Sequence, residues 1–149
     1  MNRKTPIKDY VFVGVQLLLL AAYMLPLQLY KIQLPEWLRY SGLFVLILAV
    51  LFGMIAVLQL NTKLSPFPSP VADGNLITKG AFRFSRHPIY TSLLLSGFGY
   101  ALYNDSLYQL LLIGCLLLIF YYKSKYEERL LIQKFPEYKI YKQSTRRFF

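Results

Sequence analysis

The sequence has few of the side chains on which disulfides and metal centres depend. Its 149 residues include one cysteine, Cys115, and one histidine, His87. A single cysteine excludes an internal disulfide, and two such residues are too few for a Cys/His zinc cluster. Cys115 lies inside the apolar run LLLIGCLLLIF, where a small packing residue is the expected role. We therefore expect no metal site.

Charged residues are also scarce, and acidic ones most of all. They make up 16% of the chain, against about 25% in a typical soluble domain, while hydrophobic residues make up 56%. Seven acids stand against 17 Lys and Arg, for a formal net charge of +10. Such an excess suits nucleic acid, anionic lipid or an anionic ligand. Because the basic residues flank apolar runs and form no soluble basic face, we expect a membrane protein that binds no nucleic acid.

Four apolar runs separate the basic segments, and in so short a chain only helices can carry them across a bilayer. A crossing needs about 20 residues. The first two runs reach this length, and the last two, which only the turn YNDS separates, are shorter. That turn predicts a tight antiparallel hairpin. The four predicted spans are 11–30, 43–60, 88–103 and 107–122.

Lysine and arginine are unevenly distributed between the segments that join these spans. With four spans, the N-terminus, the loop at 61–87 and the tail at 123–149 share one side and carry 15 of the 17 basic residues. Basic loops stay in the cytoplasm, so both ends of the chain are predicted there. The predicted fold is a single all-α integral membrane domain, 1–149, with four transmembrane helices and a cytoplasmic interfacial C-terminal helix.

Two polar clusters lie at the predicted cytoplasmic ends of the hairpin. The stretch GAFRFSRHPIY at 80–90 holds two arginines, His87 and Pro88, and EERLL begins with Glu127 and Glu128 about 40 residues later. Pro88 suits the first turn of a helix that His87 could cap, and the glutamates could form i,i+4 salt bridges on an interfacial helix. Because the hairpin returns to the same side, the clusters are predicted to meet at the membrane–water boundary.

The order and spacing of the two clusters resemble the isoprenylcysteine carboxyl methyltransferase family. This group of integral-membrane methyltransferases includes the phospholipid methyltransferases, and its pattern is RHPxYxG, a spacer with a hairpin, and then EE. The resemblance covers residues 64–142, just over half of the chain. The matching residues are Arg86, His87, Pro88, Tyr90, Glu127 and Glu128, followed by Tyr138 and Tyr141.

The chain departs from this pattern at three places. Ser92 stands where the family has a glycine, and the ending STRRFF lacks the usual Val-Pro. The arginine that commonly precedes the EE pair by one turn is replaced by a lysine, either Lys123 or Lys125. A lysine keeps the charge and lacks the planar fork of an arginine, so the substrate-orienting role of this position is in question.

The resemblance implies transfer of a methyl group from S-adenosylmethionine to a lipid-like or prenylated acceptor at the cytoplasmic membrane boundary. It implies catalytic roles for Glu128 and Lys123. The implied partners are a lipophilic or lipidated acceptor and membrane lipids, and the short chain favours a bacterial inner membrane over the endoplasmic reticulum. The residues implied to bind the cofactor are Arg86, His87, Pro88, Tyr90, Glu127 and Glu128.

These residue types suit such a cofactor. Carboxylates accept hydrogen bonds from ribose hydroxyls or an ammonium group, Arg86 and His87 can hold the carboxylate of the cofactor, and the face of Tyr90 attracts a sulfonium. A soluble dinucleotide-type fold is not expected, since no G-x-G-x-x-G occurs in the chain.

Two other functions are open at this stage. A membrane sterol-type reductase would use NADPH, and Arg146 and Arg147 could bind its 2′-phosphate. A non-enzymatic membrane protein could use its basic face for anionic lipid or a partner, although this does not explain the spacing from RHPxY to EE. A Ser85–His87 nucleophilic pair shows no third orienting group in the sequence.

Overall fold

The computed structural model describes residues 6–25, 27, 32–60, 67–68 and 76–149. All regular elements in this part of the chain are helices, which confirms the predicted all-α class. The helices are α1 (Ile7–Met24), α2 (Glu36–Leu60), α3 (Ala81–Phe84), α4 (Pro88–Tyr103), α5 (Leu107–Lys134) and α6 (Tyr138–Ser144).

Three of these helices, α1, α2 and α5, are long and apolar enough to cross a membrane. α4 has the predicted bounds, but its 16 residues span only about 24 Å at about 1.5 Å per residue. A typical hydrocarbon core is about 30 Å thick. The structure thus supports three of the four predicted crossings by length and composition, and a crossing by α4 stays a prediction.

The ends of α1 and α5 differ from the predicted spans for local reasons. α1 ends at Met24 and not at residue 30, because Leu25 precedes a proline in the sequence and takes an extended conformation with ψ 132°. α5 continues past the predicted end at 122 to Lys134. No proline or glycine interrupts residues 115–135, so nothing breaks the helix there. The predicted cytoplasmic tail therefore begins inside a continuous helix.

α1 and α5 lie side by side in opposite directions. Gln16 of α1 accepts a hydrogen bond from Lys123 of α5, and about two turns further along α1 the Tyr23 carbonyl accepts one from Gln109. The start of α1 thus lies beside the end of α5. A buried apolar core lies between these helices and α4, and it consists of Tyr23, Leu94, Ile113, Leu116, Phe120 and Phe148.

α2 and α4 also run antiparallel, and small residues allow their close approach. A Cβ on Gly42 would lie 2.6 Å from the Gly99 carbonyl oxygen, and one on Gly53 would overlap the hydroxyl of Ser92. Small residues at a contact let membrane helices pack backbone to backbone. The serine that replaces the family glycine at position 92 is thus accommodated by Gly53 of the facing helix.

These contacts place the helix ends in two groups. The start of α1, the end of α2, the start of α4 and the end of α5 lie at one end of the bundle, which we call the Pro88 end. At the opposite end, Ser106 caps α5 by accepting from Gln109 N, and Arg39 at the start of α2 pairs with Asp105 at 3.1 Å. All the polar residues that the motif contributes belong to the Pro88 end.

Candidate functional site

The RHPIY stretch lies where α3 leads into α4. α3 begins after Gly80, whose φ of +63° suits a glycine, and the side chain of Gln59 accepts a hydrogen bond from Ala81 N at 2.9 Å. His87 is the N-cap residue of α4, in a non-helical conformation that suits a residue before proline, and Pro88 takes the first helical position. The imidazole points to α5 and not to the first turn of α4.

The two polar clusters meet as one buried group. His87 Nδ1 lies 3.3 Å from Glu127 Oε2, and His87 Nε2 lies 3.4 Å from Glu128 Oε1. The Nε of Arg86 donates to Glu128 Oε1 at 3.1 Å. His87 and Glu127 are at most 9% exposed and Glu128 is 1% exposed. Both glutamates thus take partners from a distant segment, and Glu127 also interacts electrostatically with Lys123, one turn earlier on its own helix.

Glu128 is engaged by four cationic side chains. Besides Arg86 and His87, Arg147 forms a two-pronged contact, with Nε 3.0 Å from Oε1 and a terminal nitrogen 3.0 Å from Oε2. Lys142 Nζ lies 3.2 Å from Oε2. A forked arginine–carboxylate contact is strong and directional. Glu128 therefore joins α5 to the start of α4 and to the residues after α6.

Glu127 has a different set of contacts. The Tyr90 hydroxyl donates to Glu127 Oε1 at 2.5 Å, and His87 approaches the other oxygen. A carboxylate has about four acceptor positions, and these two contacts leave some of them for a ligand. Of the two adjacent glutamates, Glu127 is the one that can still bind further groups.

Aromatic rings form one wall of the cluster. The rings of His87 and Tyr90 are stacked with centroids 5.5 Å apart, and those of Tyr90 and Phe120 with centroids 4.4 Å apart. Lys123 Nζ lies 5.1 Å from the centre of the Tyr90 ring. A tyrosine face attracts cations, and in this structure the Lys123 ammonium takes that position beside Tyr90.

α1 contributes polar residues that the sequence analysis did not identify. Lys123 is fully buried and donates to Gln16 Oε1 at 2.7 Å, whereas Lys125 is exposed. Asp9, also fully buried, accepts from Tyr126. Asp9 is the only acid in the first 35 residues, and an acid at the start of an apolar helix is a signal of function that could have identified it.

Residues 145–149, which we call the closing segment, lie against the start of α4. Arg86 N donates to the Arg146 carbonyl at 2.8 Å and His87 N to the Arg147 carbonyl at 3.2 Å, so Ser85 and Arg146 form an isolated parallel bridge. The Thr91 hydroxyl donates to the Phe148 carbonyl at 3.0 Å. This backbone pairing brings Arg147 to Glu128. The ending STRRFF gave no sign of it, since the pairing depends on distant backbone.

Tyr138 and Tyr141 of α6 are both buried beside the cluster. The Tyr141 hydroxyl donates to the Phe82 carbonyl. Within the described residues the Tyr138 hydroxyl has no hydrogen-bond partner. Burial raises the pKa of Tyr141 to about 12, and burial with the nearby charge of Glu128 raises that of Tyr138 as well. Tyr138 is thus a protonated, unused donor at the site.

His87 is the only histidine of the chain, and an imidazole is the side chain whose ordinary pKa lies closest to neutral pH. Its burial by itself lowers the pKa, but hydrogen bonds and charge interactions with Glu127 and Glu128 outweigh that effect, so the pKa is raised above 6.5. The two carboxylates therefore favour the protonated form of the imidazole. In the described part of the chain no group of three or more His, Cys, Asp or Glu side chains could hold a metal ion.

Comparison with known protein families gives one match. A family model described as phospholipid methyltransferase matches residues 37–138, more than two thirds of the chain. The match includes RHPIY and the twin glutamates, while α1 and the closing segment lie outside it. No curated protein matches the chain.

Proposed function

Because the chain belongs to the phospholipid methyltransferase family, we propose that it transfers the methyl group of S-adenosylmethionine to a lipid-like or prenylated acceptor. The family is one of methyltransferases that act on lipid-like substrates, and three long apolar helices support a membrane protein. The observation that carries the proposal is the convergence of Arg86 and His87 with Glu127 and Glu128 in one buried group.

The residues present fit this cofactor. The Tyr138 hydroxyl is a buried donor without a protein partner in the described residues, and Glu127 retains acceptor positions for ribose hydroxyls or an ammonium group. Tyr90 offers an aromatic surface to adenine or a sulfonium. A few placed polar groups in an aromatic setting are typical of small-ligand sites.

When bound, the cofactor supplies an electrophilic methyl group on a sulfonium, and displacement by a lone pair of the acceptor leaves the sulfur as a neutral thioether. Such a displacement depends on alignment more than on proton transfer. We therefore assign positioning roles first. Tyr90 and His87 hold Glu127 in place, and Pro88 sets the start of α4 so that both side chains point to α5.

Glu128 and Arg86 build the frame of the proposed site. Arg86 donates to Glu128 and, through a terminal nitrogen, to the carbonyls of Lys142 and Thr145 at 2.7 and 2.8 Å. The catalytic role proposed for Glu128 thus requires that one of its four cationic partners gives way to substrate. In that role it would orient the acceptor or the ammonium group of the cofactor.

Lys123 is the better candidate for the position of the family arginine. It is buried beside Tyr90 and is held by Gln16, whereas Lys125 faces outward. A buried ammonium in that place can attract an anionic or electron-rich part of the acceptor. We propose that Lys123 orients the acceptor, which would reach it from the bilayer along the apolar surfaces of α1 and α5.

The location of the cluster suits substrates that arrive from two phases. With the basic Pro88 end in the cytoplasm, the polar cofactor would come from water and the acceptor from lipid. We propose that both ends of the chain are cytoplasmic and that the membrane is a bacterial inner membrane. For a reductase, in contrast, Arg147 would have to leave Glu128 before it could bind a 2′-phosphate.

The proposal predicts that Glu127→Gln abolishes methyl transfer. The amide would be neutral and would offer one acceptor oxygen where the carboxylate offers two. We expect at least a hundredfold loss of labelled product when purified protein is incubated with radiolabelled S-adenosylmethionine and a lipid extract. Titration calorimetry should show the loss of cofactor binding in the same variant.

Glu137→Gln is the matched control, since Glu137 is an exposed acid at the start of α6, near the same end of the bundle. It should keep the activity of the parent protein. If the parent protein binds no cofactor at millimolar concentration, the methyltransferase proposal is wrong. If both variants are as active as the parent protein, the role assigned to Glu127 is wrong. The label also identifies the acceptor.

A further inference from the structure

A groove lies on the other side of the closing segment from the glutamates. It has a volume of about 760 Å³ and is formed by α2, α3, α4 and residues 144–149. The ring of Phe148 lines the groove, and its centroid lies 6.1 Å from that of the His87 ring. The groove is therefore adjacent to the proposed methyl-transfer site but separated from it by the Phe148 ring and the closing segment.

The floor of the groove is an apolar stripe on α2. Its residues recur at i, i+3, i+4 and i+7, which places them on one face of the helix. At about 1.5 Å per residue the stripe runs about 10 Å along α2, whose other apolar side chains are largely exposed. The groove thus opens onto a surface that faces lipid. The stripe consists of Val45, Leu48, Ala49 and Phe52.

The mouth of the groove is cationic. Arg83 and Arg146 line it, together with Ser144 and Thr145. Both arginines are exposed, and among the described residues neither has a carboxylate within salt-bridge distance, unlike their neighbours Arg86 and Arg147. No acidic residue lines the groove. Two arginines and two hydroxyls at one mouth complement a phosphate group.

We propose that this groove binds an anionic phospholipid, with its phosphate between Arg83 and Arg146 and an acyl chain along the α2 stripe. A free anion would leave the apolar floor unused, and an uncharged lipid would leave the two guanidinium groups without a counter-charge. The bound lipid would also contact residues 144–146, whose backbone continues into the contact of Arg147 with Glu128. This site does not depend on the proposed methyl transfer.

The test is native mass spectrometry of protein purified in neutral detergent and incubated with equal amounts of phosphatidylglycerol and phosphatidylcholine. We expect selective retention of phosphatidylglycerol. The double variant Arg83→Gln/Arg146→Gln should lose about thirtyfold in that preference, since each arginine near an anionic headgroup contributes about a fivefold factor. The double variant Arg83→Lys/Arg146→Lys keeps both positive charges and should retain most of the preference for phosphatidylglycerol.

Arg129→Gln/Lys139→Gln is the matched control, because it removes the same charge from exposed positions that do not line the groove. It should bind phosphatidylglycerol like the parent protein. The proposal is overturned if the two lipids are retained equally, or if the two glutamine double variants behave alike. Displacement of the lipid by millimolar inorganic phosphate would likewise overturn it, since that result indicates a site for free anions.

Discussion

Glu128 is 1% exposed and lies within ion-pair distance of four cationic side chains. A buried charge is tolerated only with compensating partners, and loss of one partner from a buried pair costs about 3–5 kcal/mol. Replacement of Glu128 would leave Arg86 and Arg147 near each other without their shared counter-charge. A Glu128 variant therefore tests folding and function together, which is why Glu127 makes the cleaner functional test.

His87 should make the stability of the protein depend on pH. Its pKa is raised above 6.5, so its contribution is complete below about pH 6.5 and is lost as the pH rises through the raised value. We expect the melting temperature of the parent protein, relative to that of His87→Gln, to fall between pH 6 and pH 9. The variant lacks the imidazole, so the pH dependence of the difference between the two proteins reports His87.

Thermal unfolding in detergent at several pH values measures this difference. A gap between parent and variant that grows as the pH rises would contradict the assignment of a protonated imidazole between Glu127 and Glu128. Glu137→Gln, which lies outside the cluster, should show the same pH profile as the parent protein.

The side chains of α5 change from mostly apolar to polar along the helix, while one face of the helix stays buried. After Gln109, the face continues with apolar side chains and then with polar ones at the same helical spacing. Because the helix is continuous to Lys134, the apolar part sets the rotation that points the polar part at α4. The buried residues of this face are Gln109, Ile113, Leu116, Phe120, Lys123, Ser124, Glu127 and Glu128.

The packing of α2 against α4 should be sensitive to the size of the side chain at position 53, where the chain has Gly53. A leucine there would overlap Ser92, and overpacking of a close contact costs about 1–3 kcal/mol. We expect Gly53→Leu to lower the melting temperature in detergent and to reduce methyl transfer, since α4 also carries Tyr90. Gly114→Leu is the control, because a Cβ on Gly114 meets open space. Equal effects of the two changes would contradict the close packing.

On the scale of the whole molecule, the group of Arg86, His87, Glu127 and Glu128 is contacted by parts of the chain that lie outside the range of the family match. The matched range ends at Tyr138, yet Arg147 contacts Glu128 and Gln16 contacts Lys123. The family portion therefore supplies the two motifs, and α1 and the closing segment complete their surroundings.

Because neighbouring helices run antiparallel, we predict that the two ends of the bundle lie on opposite sides of the membrane. In a Cys115→Ser background, Lys79→Cys, before α4, should react with a membrane-impermeant maleimide in inverted vesicles, and Asn104→Cys, after α4, in right-side-out vesicles. Both positions are exposed. Labelling of both from the same side would show that α4 does not cross the membrane and that the prediction of four spans is wrong.

The helical class of the protein, its membrane character and the residues of both motifs were determined by the sequence alone. In lipid each segment must satisfy its own backbone hydrogen bonds, so an apolar run of sufficient length specifies a helix without reference to its neighbours. The bounds of α4 followed in the same way, from a proline at its start and a polar turn at its end. The predicted break at residue 122 failed because a change of polarity does not end a helix.

Tertiary structure alone decided which polar side chains share a site. Nothing in the local sequence distinguishes Lys123 from Lys125 or Arg147 from Arg146. The rotation of α5 buries Lys123 and exposes Lys125. The pairing of the closing segment with the backbone before α4 directs Arg147, and not Arg146, to Glu128. Asp9 and Gln16 join the cluster because α1 packs antiparallel to α5. Such contacts depend on how closely two helices approach, which small residues at their interface allow. The closeness of approach is set by both helix surfaces together and cannot be read from one segment of the sequence.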